Sequence, residues 1–217
     1  MNSTRTSALV FITLFAVGSL VGCAGPSSPT STPSSGLSPS ATPTSTPTPA
    51  PEARVEDPAD PGTWIIDGAG VGPIDVGGDF ASTLGGLTGA WNNDTVNCSW
   101  SAWWTAADSS YSISFVRGTE SDTAPIREIS VYSAAEVPAA VTGPLTEDGL
   151  GVGATKTEVL AAYPDAQEGA ATIGSDTWIM LPGDAAAHVF FAFREGSDTA
   201  WDVTVTTGTE PSYEVCG

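Results

Sequence analysis

A short turn-and-helix pattern occurs twice in this chain. Residues 149–164 read GLGVGATKTEVLAAYP, and residues 74–87 read IDVGGDFASTLGGL. In the later copy Leu150 and Val152 alternate with glycines, as in a short strand. Thr155 and Glu158 then stand at the spacing of a capping box, each able to satisfy a backbone N–H of the first helical turn. Val159, Leu160 and Tyr163 give an apolar face at helical spacing, and Pro164 stops the helix. In the earlier copy Ile74 and Val76 make the strand, Asp79 the cap, and Phe80, Leu84 and Leu87 the face. No acid follows that cap at the third position, and Gly85 and Gly86 each cost about 1 kcal/mol relative to alanine, so the first helix is expected to be the weaker.

Ile74 to Leu150, Val76 to Val152 and Leu84 to Leu160 are each separated by 76 residues, and the same interval carries Phe115 onto Phe191 and Ile129 onto Val205. Period-2 alternation and β-branched or aromatic content predict strands at 98–104, 111–117 and 126–132, then at 178–181, 188–194 and 201–207. In the last of these Trp201, Val203 and Val205 are expected to point inward, while residues 91–94 read as a loop. The expected class is therefore α+β. Two tandem helix-plus-antiparallel-strand units, residues 61–144 and 145–217, would join in one sheet with short helices on one face.

The N-terminus has the form of an export signal: Arg5 in a polar start, then an apolar run over residues 8–21 that is short for a bilayer span. Leu20-Val21-Gly22-Cys23 resembles the lipobox of bacterial lipoproteins. That resemblance implies removal of residues 1–22, acylation of Cys23 and residence on the extracytoplasmic face of the cell membrane, with the bilayer as one partner. Residues 23–60 form an acylated cysteine followed by a disordered Ser/Thr/Pro tether, which cannot build an apolar face. Fully extended, it would reach roughly 100 Å.

Six Lys and Arg against 25 Asp and Glu give a net charge of -19, and loss of Arg5 with the signal would leave 5 − 25 = −20. That sign disfavours nucleic acid as a partner. All seven tryptophans and all four tyrosines lie beyond residue 60, enough to furnish one compact core. With Cys23 acylated, Cys98 and Cys216 remain. In an exported domain the pair reads as a disulfide fastening the C-terminus, the alternative being two unbonded thiols.

Candidate chemistry is sparse. His188 is the sole histidine and reads as a structural or surface residue, no Gly-x-Ser-x-Gly elbow is present, and no cofactor or metal is assigned. Glu147-Asp148, with Asp198 or Asp202, would suit calcium only outside any twelve-residue loop motif, so they read as solvated charge. Trp100, Trp103 and Trp104 fall on one predicted strand, with Trp103 on the face opposite the other two, and they form the candidate interaction surface.

The glycine turns at 70–77 and 149–160, together with Cys98 and Cys216, resemble actinobacterial envelope lipoproteins and secreted proteins built from such units. The arrangement is similar to the two-unit beta-lactamase inhibitory protein fold, although the cysteine pattern differs from one disulfide per unit. The resemblance implies a non-enzymatic protein that presents a broad sheet to a protein partner. A small-ligand or metal-binding lipoprotein and a cell-envelope hydrolase are the alternatives.

Overall fold

The structure is a computed structural model that describes residues 55–135, 138 and 143–216. The expected signal, lipobox Cys23 and most of the tether lie outside these residues. Within them the chain is nearly all β: a two-stranded ribbon, an eight-stranded antiparallel sheet and two α-helices of seven residues each. This overturns the α+β expectation. The helices are too short to form a layer of their own. The supposed strand at Leu150–Val152 does not form either: Gly149 and Gly153 take φ of +78° and +93°, and Gly149 N–H donates to Thr146 O, turning the segment into a loop.

The ribbon is β1 (Gly70–Val71) and β2 (Ile74–Asp75). Its turn needs Gly72, at φ +53°, because a β-carbon there would overlap the buried ring of Trp64. Helix α1 (Phe80–Gly86) follows, capped by Asp79, whose carboxylate accepts from Ser82 N–H at 2.8 Å. Helix α2 (Lys156–Ala162) has the full reciprocal box: Glu158 N–H donates to Thr155 Oγ1, and Thr155 N–H donates to Glu158 Oε2. The two helices are equal in length despite the glycines of α1, because Phe80 anchors α1 with its ring centroid 5.0 Å from that of Phe115. Packing thus offsets the weaker propensity.

The large sheet is formed by β3 (Asn92–Asp94), β4 (Cys98–Thr105), β5 (Ser112–Arg117), β6 (Ile126–Tyr132), β7 (Gln167–Ala170), β8 (Thr177–Met180), β9 (His188–Phe193) and β10 (Ala200–Thr206). Their spatial order is β3-β4-β5-β6-β10-β9-β8-β7, two meanders meeting at the β6–β10 pair. The 76-residue interval does not hold throughout. Phe115 pairs with Ile129 but Phe191 pairs with Val203, an interval of 74 on the inner strands. The connection at 194–199 is two residues shorter than that at 118–125, an even change that keeps every side chain on its face.

One face of the sheet carries the core. Ile113, Phe115, Ile129, Phe191, Phe193, Val203 and Val205 are fully buried there, beneath Phe80 and Val159 of the helices. Each such side chain contributes about 1.5–3 kcal/mol through removal from water. A β-bulge between Ala200 and Asp202 breaks the alternation expected at the start of β10. Ala200 takes the inward position, and Trp201 does not join Val203 and Val205 in the core.

Candidate functional site

The second face is polar along its midline. Ser130 of β6 pairs with Thr204 of β10, and their hydroxyl oxygens lie 2.8 Å apart. Thr204 Oγ1 donates to Asp202 Oδ2 at 2.8 Å; its single proton is thereby committed, so Ser130 donates to Thr204. Two residues before each member of this central pair stands a buried acid: Glu128 before Ser130, 3% exposed, and Asp202 before Thr204, 7% exposed. Asp202, expected among the solvated acids, is therefore inside the protein, because it follows the bulge and shares the face of Thr204.

The two acids are treated differently by the C-terminal tail, residues 207–216. Glu128 Oε2 accepts from both the N–H and the Oγ of Ser212, at 3.2 and 2.9 Å. Burial raises the Glu128 carboxyl above its ordinary range, against the lowering effect of these bonds. Among side chains, Asp202 receives only Thr204. Burial pushes it up to about 7, and the negative charge of Glu128 adds to the rise.

A cavity of about 780 Å³ opens above Asp202. Its floor is Trp178, Ala192, Trp201 and Asp202, one wall comes from the β7–β8 connection, and the other from tail residues 208–214. The Trp178 ring lies over its cross-strand partner Gly169, where any side chain would collide with it, and meets Phe190 edge-on at 5.3 Å. The Arg194 guanidinium covers the Trp201 ring at 4.8 Å while donating to the carbonyls of Ala135 and Ser133. Among the described residues three buried side-chain polar atoms have no hydrogen-bond partner: Trp178 Nε1, Trp201 Nε1 and Asp202 Oδ1. All three belong to residues of this floor, and each atom is closed to a water-sized probe. At the cavity's walls, Ile173 and Tyr213 are 55% and 65% exposed.

The tail that forms the second wall is held at several points. Glu210 Oε2 accepts from Thr172 N–H in the opposite wall at 2.9 Å, Ser212 binds Glu128, and Val215 O accepts from Trp100 Nε1 at 2.7 Å. A disulfide joins Cys98 to Cys216, with Cα atoms 5.5 Å apart. The Cys98–Cys216 pairing expected from the sequence is thus present.

The tryptophans of β4 separate. Trp104 packs on the core side, 5.8 Å from Tyr111 and 6.5 Å from Trp91, ring to ring. Trp100 secures the tail. Trp103 pairs with Ser114, on the face away from Phe115, and stays half-buried. Trp103 is therefore the member of the trio left to contribute to a contact surface.

Elsewhere, a smaller cavity of about 280 Å³ brings together Asp67, Glu147, Asp148, Asp184 and His188. His188 meets the Phe190 ring edge-on at 6.4 Å. Among the described residues no group of three or more His, Cys, Asp or Glu side chains is placed to hold a metal ion, and no helix is long and apolar enough to cross a membrane.

No protein-family model and no curated protein matches the sequence. Among solved structures the chain is similar to an extracellular protein containing an SCP domain from Bacillus anthracis str. Ames, at 12% identity and a TM-score of 0.37. The match covers 73% of this chain and 49% of that one, so the chain spans about half of that protein's length. A likeness this distant carries no inference about activity.

Proposed function

We propose that the protein is an extracytoplasmic lipoprotein, anchored through Cys23, that binds a small molecule non-enzymatically in the cavity between the sheet and its C-terminal tail. The observation that carries this is the cavity itself, about 780 Å³ between the sheet and the tail, with Trp178 and Trp201 on its floor and Ile173 and Tyr213 on its walls. The cavity volume lies within the roughly 300–1,000 Å³ of small-molecule sites. A disulfide closing a long loop suits an oxidising, extracytoplasmic compartment.

Native mass spectrometry of the full-length protein, extracted gently from its own membrane, tests the cavity assignment. A retained small molecule, lost when Trp178 is replaced by Phe, is the expected result. Cys23→Ala should release the protein from the membrane fraction; retention there would contradict the lipid anchor.

A second reading, in which the same sheet face receives a protein partner, is favoured by half-buried Trp103 and by exposed Ile173 and Tyr213. Cross-linking in the native membrane separates the two. A captured protein whose cross-links map to Trp103, with no retained small molecule, would favour this reading over the cavity.

A further inference from the structure

We propose that the cavity takes an organic cation, an ammonium group carrying apolar substituents, seated against the rings of Trp178 and Tyr213 with the wall carboxylates as its counter-charge. The proposal rests on the assignment of this cavity as the binding site and adds the chemical class of what enters it.

Only surface that the cavity reaches can select a ligand. The Nε1 atoms of Trp178 and Trp201 are closed, yet both residues are half-buried and line the cavity, so what their side chains present to it is ring carbon. Tyr213 adds an exposed ring and Ile173 an exposed aliphatic chain. Such surface attracts apolar groups, and ring faces attract cations as well through their negative π-face. The chain already makes contacts of this kind: Arg117, Lys156 and Arg194 lie 6.0, 5.1 and 4.8 Å from the ring centroids of Phe80, Phe193 and Trp201.

Charge then separates the classes. The walls carry Asp176, Glu210 and Glu214, and among the described residues no Lys, Arg or His lines the cavity. Glu210 is ionised, because hydrogen bonding to Thr172 holds its carboxyl below the usual range. The one ion pair among the described residues is Arg117–Asp122, so these three wall carboxylates have no protein counter-ion there. An anion would meet repulsion. A bare metal ion would find no group of three or more His, Cys, Asp or Glu side chains placed to hold it among the described residues. Acids alone would mark nothing in so acidic a chain; what singles out this place is carboxylates around reachable aromatic surface inside a cavity. Beneath the floor Asp202 Oδ1 has no partner. It is closed to contact, but Coulomb attraction needs none, and a cation above it favours the ionised form that burial and Glu128 disfavour.

The test uses the full chain in a neutral detergent, at about 0.15 M salt so that unspecific counter-ion binding is screened. It is titrated by calorimetry with choline and benzyltrimethylammonium, with the neutral compounds of the same shape in which carbon replaces the nitrogen, and with benzoate. The expected result is saturable binding of at least one ammonium compound, about tenfold or more tighter than its neutral counterpart, and no binding of benzoate. That binding should weaken about threefold or more in Tyr213→Leu, which removes the ring from an exposed position and keeps an apolar side chain. It should weaken similarly in the Glu210→Gln/Glu214→Gln double variant, where the amide oxygen at position 210 can still accept from Thr172 N–H. Neutral counterparts or benzoate that bind as tightly as the ammonium compounds, with the same sensitivity to Tyr213→Leu, would overturn the cation class and leave the cavity assignment standing. Ammonium binding unchanged in both variants would overturn the site. If no ammonium compound binds, the cation class falls, and the cavity assignment then stands or falls on the native mass spectrometry alone.

Discussion

Replacing Asp202 by Asn should change the pH dependence of stability in a defined direction. Asp202 rises from an ordinary 3.8 to about 7 in the folded protein, chiefly through burial, so between those limits the folded state holds a proton that the unfolded chain has released. The stability linked to that proton is fully present below pH ~4 and is lost as pH rises through ~7. A rise of about 3 pH units, at about 1.4 kcal/mol each, amounts to about 4 kcal/mol between the two limits. Asn keeps the shape and can still accept from Thr204, but it has no charge to bury. Its amide also leaves the Oδ1 position imperfectly matched, a penalty present at every pH that cancels when two pH values are compared. Urea unfolding followed by tryptophan fluorescence at pH 5 and pH 8 measures this. About two of those units lie above pH 5, so relative to wild type Asp202→Asn should gain roughly 2–3 kcal/mol more at pH 8 than at pH 5. Glu128, also raised by burial, leaves a residual slope of the same sign in the variant. The lowered carboxyls Asp79, Asp94, Asp108, Glu158 and Glu210 act in the opposite sense, losing their contribution as pH falls through their depressed values, and they do so equally in both proteins. Stability curves that run parallel from pH 5 to pH 8 would refute the buried, protonated Asp202.

Three further perturbations test the frame around the site. Reducing the disulfide, or replacing Cys98 and Cys216 together by Ser, removes a link closing 118 residues of chain; thermal unfolding should show a loss of about 2–5 kcal/mol, and hydrogen exchange should rise first in residues 207–216. Unchanged exchange in the tail would show that Glu210 and Ser212 hold it unaided. Gly72→Ala sets a β-carbon against the Trp64 ring at a left-handed φ and should destabilise by more than 1 kcal/mol in denaturant titration. Thr155→Ala breaks the capping box of α2 and should cost about 1 kcal/mol in the same assay, whereas a loss below a few tenths would mean that packing of Val159 alone sets the helix start.

The legible parts of this chain were those governed by local rules. Strand β6 matches its alternation from Ile126 to Tyr132, the cap of α2 follows from Thr155 and Glu158, and Cys98 and Cys216 are bonded. Strands β3 and β7, reading NND and QEGA, escaped because polar edge strands carry no period-2 apolar signal, their pairing being imposed by β4 and β8. The expected class differs from the observed one because the glycine alternation at 149–153 mimics a strand while the glycine φ values make a loop. The cavity was hidden for a different reason. Its floor depends on a bulge that turns Trp201 out of alternation, and its walls come from two segments far apart in the chain. The one sequence trace of the site is Asp202 alternating with Thr204 and Thr206 against inward Val203 and Val205, a polar stripe that becomes buried only when the tail crosses it.

The most direct measurement follows the seven tryptophan indole N–H signals by nuclear magnetic resonance while the full chain is titrated with the small-molecule extract of its own membrane. Binding in the cavity predicts that the Trp178 and Trp201 signals move together as the sites fill, with that of Trp103 unmoved. Movement of Trp103 without Trp178 and Trp201, or no movement at all, would contradict it.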